Sequence, residues 1–355
     1  MWLLDEQSAA DYLRAVGRVE GQDHVEVTWL SGGVSNVVLH VQVGNPAADP
    51  RGCHPHGHQE FVLKQARNQL RVPEPWFCSV ERIRTEVAVL KRYAELASSL
   101  PTPAQVPRVL FEDPAQYAFA MTAAPRGHRT WKQCLLAGEY DESIATACGG
   151  LLGVLHGATW HQLRDEQQFA DRTFFDDLRL DPYYRHVARG FPELATPLQQ
   201  LIDSVWSERH ALVHADFSPK NLLVWPGGLM LIDCEVGHYG DPAFDLGFFL
   251  AHLVLKTFRV GGPRETAEGA ACYQLTNRFW DAYRRSLSER VDEASIEALE
   301  GRGIANLAGC LLARLDGKSQ VDYLTDKSPV RAAARRLLLA PPRCWQDVED
   351  LLFNY

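Results

Sequence analysis

A chain of 355 residues exceeds the length at which one hydrophobic core usually stops growing, so two lobes with a cleft between them are expected. With 46% hydrophobic and 23% charged residues the composition is globular, which excludes a disordered chain, and the net charge of −9 disfavours a protein built to grip nucleic acid. No apolar run approaches the roughly 20 residues of a membrane span, and Asp5 and Glu6 stand where a signal peptide would be apolar, so a cytoplasmic protein with neither a membrane nor a nucleic-acid partner is expected.

Ser8, three positions before Asp11, has the spacing of a capping box and opens a short helix over 8–16. Alternation over 25–29 and a β-branched run over 37–43 read as strands flanking the turn Ser31-Gly32-Gly33-Val34-Ser35-Asn36. A polar stretch over 44–59 follows, containing Cys53, His54, His56 and His58. It could be a polar hairpin tip or could present metal ligands on one face. A third strand over 61–64 ends on Lys64, a helix over 80–96 carries Glu86, and strands over 106–110 and 117–121 complete a small lobe near Thr122. The eight cysteines form no CxxC pair and read as buried thiols.

From Trp131 onward helical spacing dominates, at about 143–158, 194–209, 243–257, 266–287, 293–314 and 328–340. One block over 212–240 interrupts it. There Pro226-Gly227-Gly228 separates two short apolar strands, 222–225 and 229–232. A hairpin symmetric about Gly227 sets Asn221 opposite Asp233, with Cα atoms about 5 Å apart. A carboxamide and a carboxylate so placed suit magnesium, and Asp216 on the incoming loop could accept a hydroxyl proton.

The segment His214-Ala215-Asp216-Phe217-Ser218-Pro219-Lys220-Asn221, followed by Ile232-Asp233-Cys234-Glu235 and the block 237–247, resembles the catalytic loop and metal segment of aminoglycoside phosphotransferases, choline kinases and 5-methylthioribose kinases. Ala215 stands where glycine is frequent, and Ser218-Pro219-Lys220 where His-Pro-Gly often stands. The resemblance runs from Leu30 to about Ser319 and implies an α+β, bilobal, protein-kinase-like fold. A nucleotide-binding lobe would span 1–122, and a mostly helical lobe over 123–355 would hold the catalytic loop, metal site and acceptor-binding helices.

Carried over by position, it makes Asp216 the catalytic base, Asn221 and Asp233 the Mg2+ ligands, and His214 and Asp245 the supports of the loop. ATP is the implied phosphoryl donor, held by backbone of Ser31, Gly32, Gly33, Ser35 and Asn36, by Lys64 paired with Glu86, and by the backbone between Met121 and Ala123. The acceptor is expected at Glu235, Asp177, Arg179, Tyr183, Arg185 and Arg314. Arg314 lies at a helix end resembling the sugar-holding arginine of methylthioribose kinases, although with Gly317 it is equally good capping chemistry.

A small-molecule kinase follows, monomeric or homodimeric, acting on a hydroxylated metabolite such as a methylthioribose-like sugar. The alternatives are an aminoglycoside O-phosphotransferase and, of another class, a non-catalytic nucleotide-binding module or an atypical protein kinase. The last is disfavoured because Asp233-Cys234-Glu235 passes directly into Gly240-Asp241-Pro242, with no activation segment.

Overall fold

The computed structural model describes residues 2–30, 35–44, 59–70, 76–96, 99–100 and 103–353. Ser31, Gly32, Gly33 and the group Cys53, His54, His56 and His58 lie outside the described residues. The chain packs as two units, Met1–Ala94 with Pro107–Arg126, and Glu95–Val106 with Gly127–Tyr355.

The first unit opens with helix α1 (Ala9–Ala15) and strands β1 (Val25–Trp29), β2 (Asn36–Val43) and β3 (Gln59–Ala66). Ser8 makes no side-chain cap to α1, contrary to the capping-box expectation. Asp5 does that work, its carboxylate accepting the N–H of Gln7 at 3.0 Å and of Ser8 at 2.7 Å. Helix α2 (Arg82–Glu95) follows, then, after the segment 95–106 that packs with the second unit and carries β4 (Ala104–Gln105), come β5 (Val109–Asp113) and β6 (Ala118–Thr122). The five strands form an antiparallel sheet in the order β1-β2-β3-β6-β5.

Alternation along β2 and β3 sends Leu39, Val41, Phe61 and Leu63 to one face, where Tyr12 and Leu13 of α1 and Leu4 close the core. Lys64 is out of phase with that set and takes the other face. Ile83, Val87 and Leu90 are buried along α2, leaving Glu86 on the same side of the helix. Strand β5 begins beyond the expected position, two residues after Pro107, which has no N–H for the ladder.

The second unit comprises β7 (Arg129–Thr130), α3 (Trp131–Leu136), α4 (Glu142–Thr159), α5 (Leu163–Gln168), α6 (Thr173–Phe175), a π-helix over Asp176–Arg185, α7 (His186–Gly190) and α8 (Ala195–Ser207). It continues with β8 (Ala211–Val213), β9 (Leu222–Trp225), β10 (Gly228–Leu231), β11 (His238–Gly240), α9 (Pro242–Arg259), α10 (Ala267–Leu287), α11 (Glu293–Asp316), α12 (Ser328–Leu339) and α13 (Val348–Phe353). The six long helical patterns of the sequence are α4, α8, α9, α10, α11 and α12.

Two helix pairs approach closely enough to require glycine. A Cβ on Gly149 of α4 would lie 2.1 Å from the Phe279 carbonyl of α10, and one on Gly247 of α9 would lie 2.4 Å from the Leu307 nitrogen of α11. Helix α9 is buried on all sides over 242–257. Its first turn lies against the site.

Candidate active site

The loop between β8 and β9 is pinned from below by the first turn of α9. Asp245, fully buried, accepts the N–H of His214 and of Ala215, each at 2.7 Å, and His156 Nε2 lies 3.2 Å from the same carboxylate. Tyr283 lies 3.0 Å from His156 Nδ1, so a buried chain runs from α10 through α4 and α9 to the loop. Burial alone would raise the Asp245 carboxyl, but these partners outweigh it and hold it below its usual value. His214 accepts the N–H of Asp216 on Nδ1 at 3.2 Å, so its Nε2 carries the hydrogen and donates to Ile232 O at 3.2 Å. Burial lowers its pKa, consistent with a neutral ring that props the loop. Phe217 anchors the tip, 5.0 Å from Phe249 between ring centres.

Ala215 adopts φ +58°, the left-handed region that glycine enters at least cost, which explains why glycine suits this position. The kink turns Asp216 toward three donors. Arg179 meets its Oδ1 at 2.7 Å, while Lys220 at 2.9 Å and the Asn221 amide at 2.8 Å meet its Oδ2. Burial would push this carboxyl up, yet the Arg179 and Lys220 charges hold it below the usual carboxylate range. Asp216 is therefore an oriented carboxylate that could accept a proton at neutral pH.

The hairpin register differs from the expected one. Trp225 pairs with Gly228 and Leu222 with Leu231, so the turn is centred between Pro226 and Gly227 and Asn221 faces Ile232, whose N–H it accepts at 3.0 Å. Asp233 lies one residue further on and takes φ +71°. Asn221 donates its amide to both the backbone and the carboxylate of Asp216, which leaves its carboxamide oxygen, among the described residues, without a hydrogen-bond donor. An amide oxygen and the Asp233 carboxylate are the hard oxygen donors that Mg2+ selects, so these side chains fit that ion.

In the first unit, Lys64 Nζ lies 2.7 Å from Glu86 Oε1, both buried. Ser35 and Asn36 are buried too and are held by an arginine that sequence reasoning missed: Arg82 donates to the carbonyl oxygens of Ser35, Arg67, Cys78 and Ser79 and to the Asn36 carboxamide oxygen. Met121 sits within β6 and Ala123 just beyond its end.

Among the expected acceptor residues the outcomes diverge. The segment 176–185 is a continuous π-helix with Pro182 inside it, and it aims Arg179 at the loop between β8 and β9. The Arg179 guanidinium donates to Ala215 O and Leu178 O at 2.7 Å each and pairs with Asp216, so these contacts tie it to the loop carrying Asp216. Tyr183 is buried 6.0 Å from Phe248, Arg185 is ion-paired to Asp176 at 2.8 Å, Asp177 is exposed, and Glu235 is buried. Arg314 occupies the last turn of α11 and donates to Ser319 Oγ at 2.7 Å. Gly317 is the C-cap of α11, its N–H bonded to Ala313 O at 2.9 Å, and it is extended there, with φ −82° and ψ −175°.

A buried aspartate primed by two cations and a carboxamide, with a paired lysine and glutamate on a separate sheet and helix, defines a phosphotransferase of the protein-kinase-like class. A model of the phosphotransferase enzyme family matches residues 26–289, and the chain belongs to that family. Methylthioribose kinase of Pectobacterium carotovorum is 28% identical over 291 residues, 74% of this chain and 68% of that protein. Methylthioribose kinase of Yersinia pestis is 25% identical over 291 residues, 74% and 67% respectively. Among solved structures, an amicoumacin kinase in complex with AMP-PNP and Ca2+ covers 98% of this chain and 97% of its own, with TM-score 0.56 at 17% identity. A choline/ethanolamine kinase family protein from Mesorhizobium loti covers 98% and 99%, with TM-score 0.50 at 18% identity. The protein is an ATP-dependent small-molecule kinase, and kinases of this family use ATP with Mg2+. No helix among the described residues is long and apolar enough to cross a membrane.

Proposed function

We propose that this kinase phosphorylates a hydroxyl of a small sugar-like metabolite of the methylthioribose type, in the cytoplasm, as a monomer or homodimer without nucleic acid. The observation that carries the chemistry is the Asp216 carboxylate, buried and fixed between Arg179, Lys220 and Asn221. The acceptor oxygen forms the new bond to the γ-phosphorus, the bond to the β-bridging oxygen breaks with ADP as leaving group, and the hydroxyl proton passes to Asp216. Lys64, braced by Glu86, orients the donor phosphates from the nucleotide-binding unit, with backbone near Met121 and Ala123 reading the base. Asn221 and Asp233 would hold Mg2+, which when bound offsets phosphate charge.

Support for a sugar-like acceptor comes from the methylthioribose kinases among the relatives. Lys132, Lys256 and Arg314 line helix ends of the same unit and disfavour a polycationic aminoglycoside. Incubation with ATP and Mg2+ and a panel of methylthioribose, pentoses, kanamycin and choline tests this reading. Turnover of a sugar is expected; turnover of kanamycin or choline with no sugar accepted would overturn it.

A further inference from the structure

Helix α9 is buried all round, yet Asp245, Phe248, His252 and Lys256 follow one another along one of its faces. Asp245 holds the catalytic loop, and Phe248 lies 5.7 Å below the guanidinium of Arg179. From Asp245 to His252, the near member of the group it leads to, the helix rises about 10 Å. The stripe thus leads from the proton acceptor to a second group of polar side chains.

That group is positive. Lys132 of α3, whose N–H is bonded to Pro219 O of the catalytic loop at 2.8 Å, places its amine 5.9 Å from the ring centre of Tyr323, and the Lys256 amine lies 5.3 Å from the same ring. Arg314 adds a third cation. Among the described residues none of these three is ion-paired to a carboxylate; Asp316, two residues after Arg314, is taken by Arg331 at 2.7 Å. His252 Nε2, Arg314 Nε and the Tyr323 hydroxyl have no hydrogen-bond partner in the described structure, and His252 is only 7% exposed. Lys256 spends one donor on His252 O at 3.0 Å.

Burial, and after it the charges of Arg314, Lys256, Lys220 and Lys132, holds His252 well below its ordinary pKa. Burial brings Lys256 down to about 7, with Lys132 and Arg314 acting in the same direction. Unneutralised cations and orphaned donors are costly in a folded interior unless a ligand completes them.

We propose that Lys132, His252, Lys256, Arg314 and Tyr323 seat an oxyanion carried by the acceptor, so that the substrate is a hydroxylated acid of sugar size, its hydroxyl at Asp216 and its acid group toward the far end of α9. This rests on the sugar-hydroxyl reading above and narrows its class to carboxylates or phosphate esters.

The test compares D-ribose, D-ribonate and D-ribose 5-phosphate, as acceptors with ATP and Mg2+ and as calorimetric ligands of the full chain saturated with AMP-PNP and Mg2+. One of the two acids is expected to bind, and to be turned over with a kcat/KM, about ten- to hundred-fold better than ribose, as for charge-assisted contacts; which acid it is separates carboxylate from phosphate. Lys256→Met with Arg314→Met is expected to abolish that preference. Lys132→Met, at a half-exposed position, should reduce it several-fold and guards against a double variant that fails to fold. Binding of the acid at pH 8 should also take up protons as Lys256 recharges, seen as a dependence of the heat on buffer ionisation. Acid binding without phosphoryl transfer would keep the seat and sink the sugar-hydroxyl reading. Turnover of ribose with no preference for either acid would keep that reading and overturn the seat, as would a preference that survives in both variants.

Discussion

Arg82 in the first unit and Arg179 in the second are both buried helix-borne arginines that gather backbone carbonyls from neighbouring turns, yet they serve different ends. Arg82 ties Ser35, Arg67, Cys78 and Ser79 to Asn36 and so fixes where β2 begins. Arg179 ties Leu178 and Ala215 and also grips the carboxylate of Asp216. A planar fork of donors is suited to either task. The comparison teaches that burial of an arginine identifies a knot in the chain, while the acceptor at its tip decides whether the knot is architecture or chemistry.

The sharpest separation comes from the acceptor itself. Asp216→Asn keeps the shape and the bond to Asn221 within reach but removes the proton acceptor, so kcat should fall by about 10²- to 10⁴-fold with nucleotide affinity nearly unchanged. Equal turnover by variant and parent would remove Asp216 from the mechanism and make Arg179 a purely architectural residue like Arg82.

Arg82→Met should be read in stability instead. It strands several buried oxygens at once, so a loss of about 3–5 kcal/mol is expected in denaturant unfolding. Protein that remains folded should keep a kcat within a few-fold of the parent. A large fall in kcat at full stability would break the distinction from the other side.

Arg179→Met tests the electrostatic half of the comparison through pH. Asp216 has a depressed carboxyl in the folded chain, so its contribution to stability is present above the ordinary carboxylate value near 3.8 and is lost as pH falls through the lower folded value. In the parent, the acid limb of kcat/KM due to Asp216 should therefore lie below the ordinary carboxylate range. Removing the guanidinium removes a lowering influence, so that limb should move to higher pH, with kcat/KM at neutral pH down about ten-fold or more. An acid limb that does not move would show that Arg179 only holds backbone.

The elements most legible in the sequence were those fixed by local periodicity: β1, β2, β3, α4 and α9 to α12 fall where alternation or helical spacing sets them. The catalytic hairpin was legible as a hairpin, but its register was not, because Pro226-Gly227-Gly228 offers two glycines for one turn. Gly227 takes the positive φ of +88°, while Gly228 is already in the strand, lacking a side chain because the Trp225 ring would lie 2.2 Å from its Cβ. The π-helix left no periodic signal, since its spacing is neither 2 nor 3.6 residues. Arg82, His156 and Lys256 owe their settings to tertiary packing, which no local pattern records; a charged or imidazole side chain inside an apolar helical run, as at His252 and Lys256 in α9, was the one available hint.

The smallest expected effect concerns the kink that presents Asp216. At φ +58°, Ala215 bears a left-handed conformation that costs a non-glycine residue roughly 1–2 kcal/mol. Replacing it by glycine relieves that cost but forfeits a buried methyl group, worth about 0.8 kcal/mol, and adds chain entropy to the unfolded state, worth about 0.5–1 kcal/mol. The opposing contributions nearly cancel, so Ala215→Gly should leave stability within about 1 kcal/mol of the parent. At an unstrained buried alanine the same change lacks the compensating relief and costs about 1.3–1.8 kcal/mol. Because Asp245 grips the backbone N–H of residue 215 and not its side chain, turnover should stay within about two-fold. Urea unfolding and steady-state kinetics on this one variant decide the matter: a loss above about 2 kcal/mol would mean that the Ala215 methyl group supports the loop by packing, whereas unchanged stability with a collapsed kcat would mean that the strained alanine itself keeps Asp216 aimed.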